Sequence, residues 1–190
     1  MTLKDWAMAY RNGTYVAFDG LGTTDPTKGD IKYFNLLKRW NTSRDFNFSD
    51  SHRKTYQVLD LSTKITLQTR LSERLRHSKN MVLILTTKTR HNREMLNYEI
   101  RRAIELRLPI IVCYPEVKQP IFNPQAYSSY WPKSLADGIE CGKAQCIHVP
   151  FKRALISDAL SQFSLHAKEK LGPLNYYRKD AYDFLNVKWT

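Results

Sequence analysis

Glu99 is the one acidic residue between Glu94 and Glu105, in a stretch where Leu96, Ile100, Ala103 and Ile104 recur at helical spacing. At about 100° per residue it lies roughly 60° from Leu96, on the border of the apolar stripe rather than on its exposed back. A carboxylate on such a border is half desolvated and can be aimed along a sheet edge into a crevice. Its acidity responds to the bases around it. The same position admits a surface acid paired along its own helix. Ala103 at i+4 cannot pair, so that reading requires Arg102 at i+3.

Two loops carry the remaining groups. Asp19-Gly20-Leu21-Gly22 offers an acid and two glycines whose backbone can approach a phosphate. It lacks the third glycine of the dinucleotide fingerprint, and no Gly-Lys-Ser/Thr follows, so a turn that needs glycine is an equal reading. Thr86-Thr87-Lys88-Thr89 offers three hydroxyls and an ammonium in succession, with His91 just beyond as a solvated histidine or a substrate contact. The five histidines and three cysteines show no metal spacing, since Cys141-x4-Cys146 lacks a second pair. There is no Gly-x-Ser-x-Gly nucleophile elbow.

These groups need elements to hold them. Residues 14–18 are β-branched and aromatic and read as a strand; Ile31, Phe34, Leu37 and Trp40 mark a helix. Residues 46–48 suggest a short strand, residues 49–55 a loop, and Ser62 caps a helix with Ile65, Leu67, Leu71 and Leu75 inward. Residues 81–85 and 109–114 are apolar without alternation, as in parallel strands covered on both faces. Between them Asn92 or Arg93 opens the helix of Glu99. A shorter strand at 147–149 and a closing helix from 151 to about 171, with Leu155, Ile156, Ala159, Leu160 and Phe163 inward, complete the series. The fold class is therefore α/β: a doubly wound, mostly parallel sheet of about five strands, without an internal repeat. The domain spans 14–171, with an arm at 1–13, a loop-rich insertion at 116–146 and a C-terminal aromatic-basic appendage at 172–190. In such sheets ligands bind beyond the carboxyl ends of strands whose connections leave to opposite faces. That rule nominates the loop at 19–27 and the loop at 86–92.

The segment Leu83-Ile-Leu-Thr-Thr-Lys-Thr-Arg-His-Asn-Arg-Glu-Met-Leu-Asn-Tyr-Glu99-Ile100 resembles the third strand, loop and following helix of TIR domains. It is most similar to the TIR-like proteins of bacterial Thoeris anti-phage systems. Tyr15-Val-Ala-Phe18-Asp19 resembles the first TIR box. The resemblance covers roughly residues 14–115 and implies a flavodoxin-like fold. It also implies a reaction: cleavage of the bond between nicotinamide and ribose in NAD+, with transfer of the ADP-ribosyl group to an acceptor to give a signal nucleotide. The catalytic glutamate of the family matches Glu99. Phe18, Asp19, Gly20, Thr87, Lys88, His91 and Met95 would lie around the substrate, with Lys88 near the diphosphate. NAD+ would be a substrate, and no cofactor or metal is implied. The product would reach a downstream effector, under a phage-derived trigger, with a homo-oligomer as a further partner. Many TIR enzymes have Trp where Met95 stands, and many relatives have Ser and an aromatic residue at Asp19-Gly20. Many TIR domains act only as assembly modules, which is the alternative function.

Composition sets the outer limits. With 190 residues, 42% hydrophobic and 25% charged, the chain can bury an ordinary core. Its longest apolar runs, 81–85 and 109–115, fall far short of the roughly 20 residues of a membrane span. The first residues carry no apolar secretory core, and three scattered cysteines suit a reducing cytoplasm. Of the net charge of +12, +8 falls in residues 51–110, where thirteen bases meet five acids. Those bases are spread over helices without an interleaved aromatic stripe, so a solvated face is favoured over nucleic-acid binding. The aromatics from Tyr176 to Trp189 read as packing over the domain or against a second subunit, because Asp180 and Asp183 dilute the charge.

Overall fold

A computed structural model describes residues 11–21, 29–42 and 64–189. The N-terminal arm through residue 10, Gly22 and the rest of its loop to residue 28, the strand expected at 46–48, the loop at 49–55 and Ser62 lie outside those residues.

Five strands form one all-parallel sheet in sequential order: β1 (Gly13–Ala17), β2 (Ser78–Ile84), β3 (Ile110–Tyr114), β4 (Cys146–Pro150) and β5 (Asn175–Tyr176). Between them run α1 (Ile31–Trp40), α2 (Lys64–Arg76), α3 (Glu94–Glu105), α4 (Lys133–Glu140), α5 (Arg153–Gln162) and α6 (Lys179–Phe184). This is the flavodoxin-like α/β architecture.

Alternation along the strands explains the layers. Tyr15, Met81, Leu83, Ile110, Val112 and Cys146 face one side, where Leu75 of α2, Leu96 and Ile100 of α3 and Leu135 of α4 cover them. Val16, Val82, Ile84, Ile111, Cys113, Ile147 and Val149 face the other. There they meet Phe34 and Leu37 of α1, Leu155 and Ile156 of α5, and Tyr177 and Tyr182 near the C-terminus. The chain thus leaves β1 for one face and β2 for the opposite face, the arrangement beyond whose carboxyl ends ligands bind in such sheets. A buried polar joint also crosses the sheet: Thr14 donates to Asn80 Oδ1 at 2.8 Å, and Asn80 Nδ2 donates to the carbonyl of Phe163 at 2.9 Å.

Three local expectations are corrected, and the packing expected of the C-terminal aromatics over the domain is found. The first turn of α2 does not face inward: Ile65 is 76% exposed and Leu67 36%, leaving Leu75 as the buried residue of this helix. The 116–146 stretch holds α4, whose Leu135 and Ile139 sit four residues apart on its buried face. It also holds a 3-10 segment, Pro124–Tyr130. The closing helix ends at Gln162 instead of near 171, because Phe163 is extended and the N–H of Leu165 donates to Lys79 O at 2.7 Å. The last stretch of chain supplies β5, paired with β4, and buries Tyr177 and Tyr182. No helix of the described residues is long and apolar enough to cross a membrane.

Candidate functional site

β2 and β3 are parallel, so α3 runs antiparallel to them, starting at the rim of the sheet and descending. Glu99 lies five residues into it, about 7.5 Å below its start. Leu96, Ile100 and Ala103 are buried beneath the helix, and Glu99 is half-buried beside them. Its partner comes from across the sheet. The hydroxyl of Tyr15, in the middle of β1 and wholly buried, donates to Glu99 Oε1 at 2.5 Å. Arg102 turns away, pairing with Glu105 at 2.7 Å and donating to Ser72 at 3.0 Å. Glu99 is therefore not an acid paired along its own helix. Among the described residues, no hydrogen bond reaches its Oε2.

Burial pushes the pKa of Glu99 up from 4.5 to about 7, while the Tyr15 hydroxyl and the positive charge of Arg74 pull the other way. Burial and the charge of Glu99 drive Tyr15 well above the ordinary tyrosine value, so it stays a neutral donor. The pair presents one clamped carboxylate oxygen and one open one, near half ionisation at neutral pH.

The rim above is a second cluster, and its groups bind one another. Asp19 follows β1 by two residues and is buried; it accepts from Arg90 Nε at 2.8 Å and Nη2 at 2.7 Å, and from Leu21 N–H at 2.9 Å. Burial alone would raise its pKa, but Arg90 and the backbone donors outweigh burial and hold it below the ordinary aspartate value. Asp30, 2% exposed at the start of α1, accepts from Thr86 at 3.0 Å. Burial, with the charges of Asp19 and Glu116, lifts its pKa to about 6. Thr87 is tied to Glu116 through its N–H at 2.8 Å and its hydroxyl at 3.1 Å.

The remaining nominated residues are placed as follows. Phe18 is half-buried and stacks on Phe34, ring centroids 5.5 Å apart. Lys88 is exposed and makes no hydrogen bond or ion pair to a described residue. His91 is exposed, and its backbone carbonyl accepts from Asn97 Nδ2 at 2.7 Å and Lys133 N–H at 3.1 Å. Met95 is half-buried one turn above Glu99, between it and the rim. Gly20 needs no glycine: its φ is not left-handed and an added Cβ would meet nothing within 4 Å. Asp19 and Tyr15 are four residues apart along the strand direction, about 13 Å at strand rise. The structure thus joins Asp19 to Arg90 and Thr87 to Glu116, and sets Glu99 deeper, with Tyr15.

Sequence reasoning missed Tyr15, Arg90, Asp30 and Glu116 as neighbours of the site. The pleat does carry a signal for one: Tyr15 and Ala17 share a face, and a hydroxyl on a buried face must find an acceptor. Grooves of about 490 Å³ between α3 and α4 and about 430 Å³ between α2 and α3 flank the helix; Glu99 lines neither. Among the described residues no three His, Cys, Asp or Glu side chains could hold a metal ion. Compared with known families, residues 15–120 match the model described as "Thoeris protein ThsB, TIR-like domain".

Proposed function

The chain belongs to the TIR-like domain family of the Thoeris protein ThsB and so to anti-phage defence, and on that premise we propose that it cleaves NAD+ and passes on the ADP-ribosyl group as a signal nucleotide. The observation that carries the reading is Glu99: a half-buried carboxylate in the matched segment, fixed by Tyr15 through one oxygen with the other open.

In the reaction the bond from ribose C1′ to the pyridinium nitrogen breaks, both electrons go to nitrogen, and nicotinamide departs neutral without needing an acid. The sugar gains oxocarbenium character. A negative charge held beside it in a poorly solvated seam stabilises that cation, or grips the ribose hydroxyls in the ground state. An acceptor hydroxyl or ring nitrogen then bonds to C1′ and loses its proton, and a carboxylate titrating near pH 7 is suited to receive it. Met95 and Phe18 line the way from the rim, and Lys88 supplies a free cation for the diphosphate. Asp19, Gly20, Thr87 and His91 shape the loops that face the substrate. The product acts on a downstream effector in the cytoplasm, and activation follows a phage-derived trigger.

Purified protein incubated with NAD+, with and without lysate from infected cells, is expected to release nicotinamide. Glu99→Gln should lower the rate roughly 10²–10³-fold, the loss typical when one group stabilising a transition-state charge is removed. Equal rates would remove Glu99 from the chemistry. A second reading, a non-catalytic assembly module, draws on the rim, where Asp19, Asp30 and Thr87 are tied to neighbours instead of turned outward. Concentration-dependent oligomers without nicotinamide release under any trigger would favour it.

A further inference from the structure

Resting on the NAD+-cleaving reading of Glu99, we infer that Tyr15 is the positioning residue of the site: its hydroxyl orients the Glu99 carboxylate and favours its ionised form, without touching substrate.

The geometry supplies the reason. Tyr15 is 0% exposed and belongs to the core cluster that also holds Ala17, Leu75, Leu83 and Ile100. Its hydroxyl therefore has a set position in the sheet, which a glutamate on a helix surface does not have by itself. The contact spans 84 residues of sequence and ties α3 to β1, so the carboxylate is placed by the sheet and not by its own rotamer preferences. With Oε1 held, Oε2 points away from the donor, and that is the oxygen a ribose can meet.

Electrostatics agree. Among the described residues, the charged and titratable groups acting on the carboxylate and the phenol come from three elements. Tyr15 on β1 and Arg74 on α2 both lower the pKa of Glu99, and Tyr98 on α3 acts weakly on Tyr15. Burial opposes ionisation, so among the described residues removing the phenol leaves Arg74 against it. A hydrogen bond to a charged group is strong enough to move such an equilibrium by about one to two pH units.

Tyr15→Phe deletes the hydroxyl and keeps the ring. Two readouts separate this inference from the reading beneath it. The first needs no activity: the Glu99 carboxyl band in the infrared, identified by its absence in Glu99→Gln, is followed against pH. Its midpoint is expected near 7 in the wild type and at least one pH unit higher in Tyr15→Phe. The second is nicotinamide release. The alkaline-rising limb should move up by the same amount, with kcat about tenfold lower at pH 7, near recovery at pH 9, and KM for NAD+ little changed. Should Tyr15→Phe not fold, biosynthetic replacement of tyrosine by the more acidic 3-fluorotyrosine strengthens the donor and should move the Glu99 midpoint down. An unmoved midpoint in Tyr15→Phe, or in the fluorotyrosine protein where that variant does not fold, overturns the role of Tyr15. A moved midpoint without nicotinamide release from any form upholds the Tyr15–Glu99 coupling and removes the NAD+ reading instead.

Discussion

Glu99→Gln should stabilise the protein against unfolding, and the gain should grow with pH. In the unfolded chain Glu99 ionises near 4.5; in the folded one it holds its proton to about 7. Between those values the folded state binds more protons than the unfolded one, so raising the pH removes stability from the wild type. The separation corresponds to about 3 kcal/mol at about 1.4 kcal/mol per pH unit, and most of it falls between pH 5 and pH 8. Glutamine cannot titrate, yet its amide oxygen still accepts from Tyr15, so the packing is kept. His148, which burial lowers to about 4, and Asp30, raised to about 6, titrate equally in both proteins and cancel in the comparison. Urea unfolding followed by fluorescence of the four tryptophans measures the difference at each pH. The advantage of the variant should be about 2–3 kcal/mol larger at pH 8 than at pH 5. A constant difference across that range would show that Glu99 is ordinary in its acidity, and the argument for a tuned carboxylate would collapse.

Other outcomes follow from the packing. Asn80→Leu strands the hydroxyl of Thr14 and the carbonyl of Phe163, both of which Asn80 satisfies in the core; chemical unfolding should show a loss of about 2–4 kcal/mol, about half of it relieved by adding Thr14→Val, which removes the hydroxyl and leaves the carbonyl unmet. Gly138→Ala would set a Cβ 2.5 Å from the Cδ1 of Ile104, the end of a flexible side chain, so a modest loss of about 1 kcal/mol is expected, mostly restored by Ile104→Val. Arg90→Ala should speed amide exchange at Leu21, because Asp19 loses the partner that fixes it. The same tie is full above the ordinary aspartate pKa and fails as pH falls through the lower folded value.

The sheet was readable because β2 and β3 are apolar on both faces, which only a covered parallel sheet tolerates. The border position of Glu99 was also readable, since helical angle depends on local sequence alone. Its partner was not. Which residue of β1 meets α3 depends on strand register and on the height at which the helix crosses, and neither is local. The Asp19–Arg90 pair escaped for the same reason: 71 residues separate its members. α4 was hidden among prolines because its apolar signal is two residues, Leu135 and Ile139, supported from outside by Asn97, whose Oδ1 accepts from Ser134 N–H at 2.7 Å. The end of α5 was set by Asn80 and Lys79, far back in the chain, and the helical periodicity carries no mark of them.

The strand added by Asn175 and Tyr176 bears on how this protein can be handled. Together with the carbonyl of Pro173, which accepts from His148 Nε2 at 3.1 Å, it shields the outer margin of β4. Trimming the tail just beyond α5 would bare a row of main-chain donors and acceptors along β4, beside a core histidine left with an unmet N–H. Such a margin recruits strands from neighbouring molecules. Shortened versions should therefore precipitate or form mixed assemblies, and oligomers seen only with them would report the cut and not the native chain.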